Sequence, residues 1–126
     1  GVGENPKRLI PYVITAIRNG EELHFTAGDQ TRQYIHVSEV PRMLALAVEK
    51  NLVSGVYNIQ GKETVTVKEI VTEIHHAMGK EVPEGCFGSV QRSDAGMKYL
   101  ALDGKKLYMA LGFEASIKIV DIISEY

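Results

Sequence analysis

Cysteine occurs once in the 126 residues, as Cys86. A single thiol excludes an internal disulfide framework and a thiolate metal cluster, and it fits a reducing cytosol. No apolar run approaches the roughly 18 residues that a membrane helix needs. Neither sign of charge dominates: 14 Lys plus Arg stand against 16 Asp plus Glu, for a net charge of −2. Such a chain has no bulk field to draw it onto nucleic acid. The first residues, Gly1-Val2-Gly3-Glu4-Asn5-Pro6-Lys7, carry no initiator Met, basic n-region or apolar h-region. They read as a chain cut from something longer rather than as a signal peptide. The expectation is a cytoplasmic location, with neither a membrane nor a nucleic acid as partner.

The common catalytic signatures are missing as well. Gly1-Val2-Gly3 meets Pro6 where a G-x-G-x-x-G would need its third glycine. There is no P-loop, no H-E-x-x-H and no G-x-S-x-G. No tyrosine is followed four residues later by lysine, so the Tyr-x-x-x-Lys acid–base pair is absent. His75-His76 sits mid-helix, where neighbours point about 100° apart and do not share a metal ion. The pair reads as solvated or half-buried, and Cys86, in a Gly-rich loop, as a bystander. No catalytic, cofactor-binding or metal-binding residue is assigned from these patterns.

What remains is a length that supports one domain, residues 1–126, with a single core. Helical and extended patterns alternate, which predicts a mixed α/β (α+β) fold: helices with a few short strands. Leu9, Ile10, Val13, Ile14 and Ile17 recur at helical spacing up to Gly20. Asn5-Pro6 offers a cap and first-turn pair. A start near Leu9 is the alternative that leaves Pro11 in the first turn, where it loses no hydrogen bond. Leu23–Thr26, Gln33–Val37 and Val56–Ile59 read as strands. Ser38 is the expected cap of a helix carrying Val40, Met43, Leu44, Ala47 and Val48. Thr66-Val67-Lys68-Glu69 is a capping box ahead of Val67, Ile70, Val71, Ile74 and Met78. Residues 81–96 read as loop. Asp103 and Ser116 are the expected caps of two last helices.

Gly28-Asp29-Gln30-Thr31-Arg32 is the most informative stretch. A tight glycine turn followed by arginine presents a planar, permanently charged fork that suits a pyrophosphate. The competing reading is an arginine in a surface turn, and spacing alone does not separate the two.

Four segments resemble the C-terminal half of the extended short-chain dehydrogenases, the NAD-dependent epimerases and dehydratases of nucleotide sugars. Gly1–Pro11 is similar to G-P-G…L-I-P. Gly28–Val40 is similar to G-x-Q-x-R-D-(F/Y)-I-H-V-D-D-V. Gly55–Gly61 is similar to G-x-Y-N-I-G-G. Arg92-Ser93-Asp94, Leu102–Leu107 and Leu111-Gly112-Phe113 are similar to R-P-G-D, D-x-x-K-(A/L) and L-G-(W/F). The chain departs from the pattern at Val2, Gln33 and Ser38-Glu39, and Arg92 and Asp94 stand one residue closer than usual. The resemblance implies that the chain is the substrate-binding portion of such an enzyme, without the Rossmann half. That half would hold NAD or NADP and the catalytic Tyr/Lys pair, so the chain alone would carry no cofactor and no catalysis. It implies Arg32 at the diphosphate of a nucleotide-diphosphate sugar, Arg92 at a second phosphate or ribose, and Leu23 and Phe25 near the base. Asn58 falls near the substrate; a turn-forming Asn satisfying local backbone is its equal alternative. The implied protein partner is the missing Rossmann half or a second copy, with exchanged elements in the dimer. A free-standing, non-catalytic module that binds a nucleotide sugar or a protein is the alternative function.

Overall fold

The computed structural model describes residues 1–91 and 97–126; Arg92 and Asp94 lie outside the described residues. Five helices and two strands follow in the order α1 (Leu9–Asn19), β1 (Thr31–Tyr34), α2 (Glu39–Glu49), β2 (Glu63–Thr66), α3 (Val67–Ala77), α4 (Lys105–Leu111) and α5 (Ile119–Ser124). β1 and β2 pair antiparallel, with Arg32 opposite Val65 and Gln33 opposite Thr64. The mixed fold class expected from the alternating pattern is therefore the one observed.

α1 starts at Leu9, with Pro11 in its first turn, where the missing N–H would have no partner anyway. Asn5 is not its cap. Its side chain instead accepts from the Lys7 amide at 2.9 Å, a local turn ahead of the helix. The capping box at α3 is present in both directions. Glu69 N–H donates to Thr66 Oγ1 at 3.1 Å, and Thr66 N–H donates to Glu69 Oε2 at 2.7 Å. The Thr66 amide and then its hydroxyl, both donating to Glu69 Oε2, hold the Glu69 carboxyl below its usual range. Ser38 stands at the N-cap of α2 but bonds His36 Nδ1 instead of the helix. Asp103 acts one residue early: its Oδ1 accepts from Lys105 N–H at 2.9 Å, and Gly104 takes the cap position. Ser116 does not cap α5, which begins after Lys118; the Ser116 amide donates to buried Glu39 at 2.6 Å.

Two expected strands do not form ladders. In 23–26 a single parallel bridge joins Phe25 to Phe87. Residues 56–59 take no strand pairing, and Val56 is 85% exposed. A strand exists through its neighbour's hydrogen bonds, and here side chains stand in for one. Lys106 Nζ donates to the Val56 carbonyl at 3.0 Å, and Gln60 N–H donates to Tyr108 Oη at 2.9 Å, while that hydroxyl donates to the Gln60 carbonyl. β2, by contrast, is absent from the expected strands, although Thr64-Val65-Thr66 is a β-branched, alternating run; its last residue is also the cap of α3.

The apolar side chains form two clusters. One joins α1, α3 and α5 through Val13, Ile70, Val71, Ile74 and Ile122; the other joins α2 and α4 through Met43, Leu107 and Leu111. His75 is buried, at 3% exposure, while His76 is exposed, so the pair expected to be solvated or half-buried is split. Helical neighbours face different ways, and only one of them meets the core.

The chain ends are tied together. Tyr126 donates to Glu4 Oε2 at 2.7 Å, and His36 Nε2 meets Glu125 Oε2 at 2.7 Å. Burial, first of all, raises the phenols of Tyr34, Tyr108 and Tyr126 above their ordinary value of 10.0; Glu4 adds to the effect at Tyr34 and Tyr126. A raised phenol holds its proton more tightly when folded. Its stabilisation is complete below the unfolded pKa and is lost as pH rises past it. The urea midpoint should therefore fall from about pH 10 upward, less steeply in Tyr126→Phe; a midpoint unchanged across that range contradicts the buried placement.

Gly61 lies against β1. A Cβ there would stand 1.8 Å from the Tyr34 carbonyl oxygen, which is backbone and cannot swing aside. Gly61→Ala should cost about 1–3 kcal/mol in urea unfolding, as overpacking does; an unchanged midpoint would show that the two segments do not touch.

Candidate functional site

β1 carries Arg32, and the turn before it fixes where β1 begins. Gly28 takes φ +74, and a Cβ on it would meet Lys68 Cβ at 2.9 Å. The close approach is used. Lys68 N–H donates to the Gly28 carbonyl at 2.9 Å, and Val67 N–H donates to the Gln30 carbonyl at 3.0 Å. Asp29, at the tip, pairs with Lys98 at 2.6 Å. The other edge of β1 is flanked by residues 98–100. Thr31 N–H donates to the Lys98 carbonyl, Leu100 N–H donates to the Thr31 carbonyl, and Thr31 bridges Tyr99.

Arg32 is half-buried in this frame. Its Nη1 donates to the Thr31 carbonyl at 2.7 Å. Among the described residues no carboxylate pairs with it, so most of its five N–H donors remain available. It lines a cavity of about 280 Å³ together with Tyr34, Ile59, Gly61 and Leu102. A second cavity of about 280 Å³ adjoins it, sharing Gln33 and Leu102 and adding Tyr99, Asp103 and Lys105. The first is a cleft that offers a guanidinium beside an apolar floor, an arrangement that suits an anion carried on a flat organic body; Lys105 lines only the second.

The other expected site residues are placed as follows. Asn58 is exposed beside the cleft and donates to the Asp103 carbonyl at 3.3 Å. This is local backbone satisfaction, the alternative its type suggested. Phe25 packs its ring on Phe87, with centroids 5.9 Å apart, and takes part in neither cavity of the cleft. Leu23, 5% exposed, lies in the wall of a third cavity that shares no lining residue with the other two. Arg92 lies outside the described residues. Of the expected residues only Arg32 lines the cleft; Asn58, Leu23 and Phe25 do not.

Sequence reasoning missed Gln33, Tyr99, Leu102 and Lys105. Their assembly depends on residues 98–102 lying beside β1, a non-local pairing that no local pattern announces. Gln33 is the informative one. Its Oε1 accepts from Leu102 N–H at 2.9 Å and its Nε2 donates to the Leu102 carbonyl at 3.4 Å. An amide can do both; an aspartate, which the resemblance leads one to expect there, only accepts.

With this geometry in view, known proteins can be compared. Residues 1–59 match the model of the NAD dependent epimerase/dehydratase family. The dTDP-glucose 4,6-dehydratase of Streptomyces griseus is 28% identical over 126 residues, covering 96% of this chain and 37% of that enzyme. The dTDP-glucose 4,6-dehydratase of an Actinoplanes species is also 28% identical, over 99% of this chain and 39% of its own. The chain spans 37–39% of the length of the curated relatives it matches. Among solved structures, DesIV, the dTDP-glucose 4,6-dehydratase of Streptomyces venezuelae with NAD and TYD bound, superposes with TM-score 0.84 at 22% identity, over 99% of this chain and 38% of that one. The UDP-glucuronic acid 4-epimerase of Bacillus cereus, in complex with UDP-glucuronic acid and NAD, gives 0.79 at 22% identity, over 94% of this chain and 38% of its own. The chain has the fold of a little over a third of these dehydratase and epimerase structures.

Replacing Gln33 by Glu keeps the side chain's length and removes its donors. Gln33→Glu should lower stability by about 1 kcal/mol, read from urea unfolding, and should speed amide exchange at Leu102. Unchanged exchange at Leu102 would show that the clasp does not hold that segment.

Proposed function

We propose that this chain is the nucleotide-sugar-binding, C-terminal portion of an NAD(P)-dependent epimerase or dehydratase, folded as one domain over residues 1–126. The observation that carries the reading is Arg32: a guanidinium without a carboxylate partner among the described residues, on a strand pinned from both sides, lining a cleft. The family match to residues 1–59 and the dehydratase relatives along nearly the whole chain support the same reading. In it, Arg32 forks onto the diphosphate, because a permanently charged planar donor binds such a group at two oxygens at once. Arg92 keeps in this reading the role that the resemblance implies; Leu23 and Phe25 line neither cavity beside β1 and Asn58 bonds the Asp103 carbonyl, so the reading does not rest on them.

Hydride transfer belongs to the remainder of such an enzyme. A dinucleotide pyrophosphate needs a glycine-rich turn from a strand into a helix N-terminus. Here the turn from β1 to α2, Ile35-His36-Val37-Ser38, contains no glycine. β2 runs directly into α3, whose Glu69 amide is taken by the Thr66 cap. These residues do not fit NAD or NADP, and the proposal routes no chemical step through the cofactor in this chain. The reading places the protein in the cytoplasm, and among the described residues no helix is long and apolar enough to cross a membrane.

The partner in this reading is the rest of the parent enzyme. Val37, Leu44 and Val48 are 60%, 58% and 79% exposed on α2 and its entry, and Val53 and Val56, after the helix, are exposed as well. Burying each would contribute roughly 1.5–3 kcal/mol. Alone, the chain covers this face with a second copy.

Two measurements test the reading. Titration with dTDP or UDP should show binding that Arg32→Ala weakens by about 1.5–3 kcal/mol, as for hydrogen bonds to charged groups; equal affinity in the variant removes Arg32 from the site. Sedimentation of the chain should show concentration-dependent association that Leu44→Glu/Val48→Glu abolishes. A clean monomer at every concentration contradicts the exposed face as an interface.

A further inference from the structure

Residues 98–102 set out along β1 as a parallel strand would. Thr31 N–H donates to the Lys98 carbonyl at 2.7 Å, and Leu100 N–H donates to the Thr31 carbonyl at 3.1 Å, so one residue of β1 bonds on either side of Tyr99. Parallel rungs are evenly spaced, and the next would carry the Leu102 amide to the Gln33 carbonyl. It goes instead to the Gln33 side chain. Leu102 N–H donates to Gln33 Oε1 at 2.9 Å, and the Leu102 carbonyl accepts from Gln33 Nε2 at 3.4 Å. A side-chain amide has taken the place of the backbone, and the strap 98–102 leaves the edge of β1 by the length of that side chain.

The cavity that Arg32 lines is bounded by both sides of this divergence: Gln33 on β1, and Leu100 and Leu102 on the strap. Leu100 and Leu102 are 44% and 46% exposed, so apolar surface stands half uncovered beside a guanidinium. A bare anion satisfies the guanidinium and leaves that surface in water, whereas an anion carried on an organic ring covers it. Gln33 brings no charge of its own, so its effect on a ligand runs through the place it gives Leu102. The strap is fixed on both sides of that residue. Leu100 is held by Thr31, and Gly104 N–H donates to Gln60 Oε1 at 2.9 Å. Loss of the Gln33 clasp therefore frees Leu102 without releasing the strap as a whole.

We propose that Gln33 is a positioning residue that sets the width of the Arg32 cavity, and that it thereby selects a diphosphate carried on an organic ring over a bare diphosphate. The inference rests on the nucleotide-sugar reading and adds selectivity to it. Arg32 attracts the charge; the strap, held off β1 by one glutamine side chain, supplies the surface for the body that bears the charge. A side chain without an amide leaves Leu102 unheld, and the preference for the ring goes with it.

Calorimetry on the full chain with dTDP and with inorganic pyrophosphate reads the two parts separately. The wild-type chain should bind dTDP at least about tenfold more tightly than pyrophosphate. Gln33→Met keeps the side chain's length and neutrality without the amide, and should cut that ratio by about fivefold or more. In the same variant amide exchange should quicken at Leu102 and not at Leu100, a local change that general destabilisation does not produce. Leu102→Ser, which keeps the backbone groups of the clasp and removes the apolar wall, should cut the ratio as well, and the double variant should cut it no further than the more damaging single one. An undiminished ratio in Gln33→Met, unchanged exchange at Leu102, or fully additive losses in the double variant would each overturn the proposal. Equal wild-type affinity for the two ligands would overturn the selectivity alone, whereas binding of neither would remove the nucleotide-sugar reading and the selectivity with it.

Discussion

The amides of Val67 and Lys68, at the start of α3, donate to the carbonyls of Gln30 and Gly28. These two bonds join the most deeply anchored helix of the molecule to the turn that precedes β1. α3 packs Ile70, Val71 and Ile74, all at 0% exposure, into the larger cluster, so its N-terminus is a fixed point. The turn inherits that rigidity, and β1 leaves it with its register to β2 already set. The position of Arg32 is thus a consequence of core packing several residues away in space. Gly28 is what lets the two segments come this close.

Electrostatics then separates two cations of the same region. Lys98 is paired with Asp29 and serves the turn. Arg32 keeps one bond to the backbone behind it and no carboxylate among the described residues in front. A half-buried guanidinium left in this state is open to an anion from outside, and this is why the proposed diphosphate role rests on Arg32 rather than on any other basic residue. Lys106, by contrast, is spent on the Val56 carbonyl and the Tyr57 ring. The apolar face of α2 is likewise exposed, and segment 56–59 takes no strand pairing.

What could be read from the sequence is local. The Thr66/Glu69 capping box, the stop of α1 at Gly20 and the apolar stripes of α1 and α3 need only neighbours within one or two turns, and all are present. What could not be read is non-local. Residues 98–102 find β1 across most of the chain, so the cleft's second wall, with Leu102, carried no signal in advance. Val56–Ile59 has a strand's residue types but no strand beside it, and propensity without a partner leaves it extended and unpaired. Gln33 reads as a mere departure from a pattern until its amide is seen gripping both backbone groups of Leu102. His75, expected in a solvated or half-buried pair, and Cys86, a bystander when read alone, line one cavity because the loop after α3 folds back beside it.

Arginine-selective nitrogen–proton spectra of the chain, recorded as dTDP is added, test the central claim most directly. The account predicts that the Arg32 guanidinium resonances sharpen and shift to a limit set by saturation, while those of Arg18, at the far end of α1, stay in place. Saturable dTDP binding with Arg32 unmoved, or with shifts gathered instead around His75 and Cys86, would contradict it.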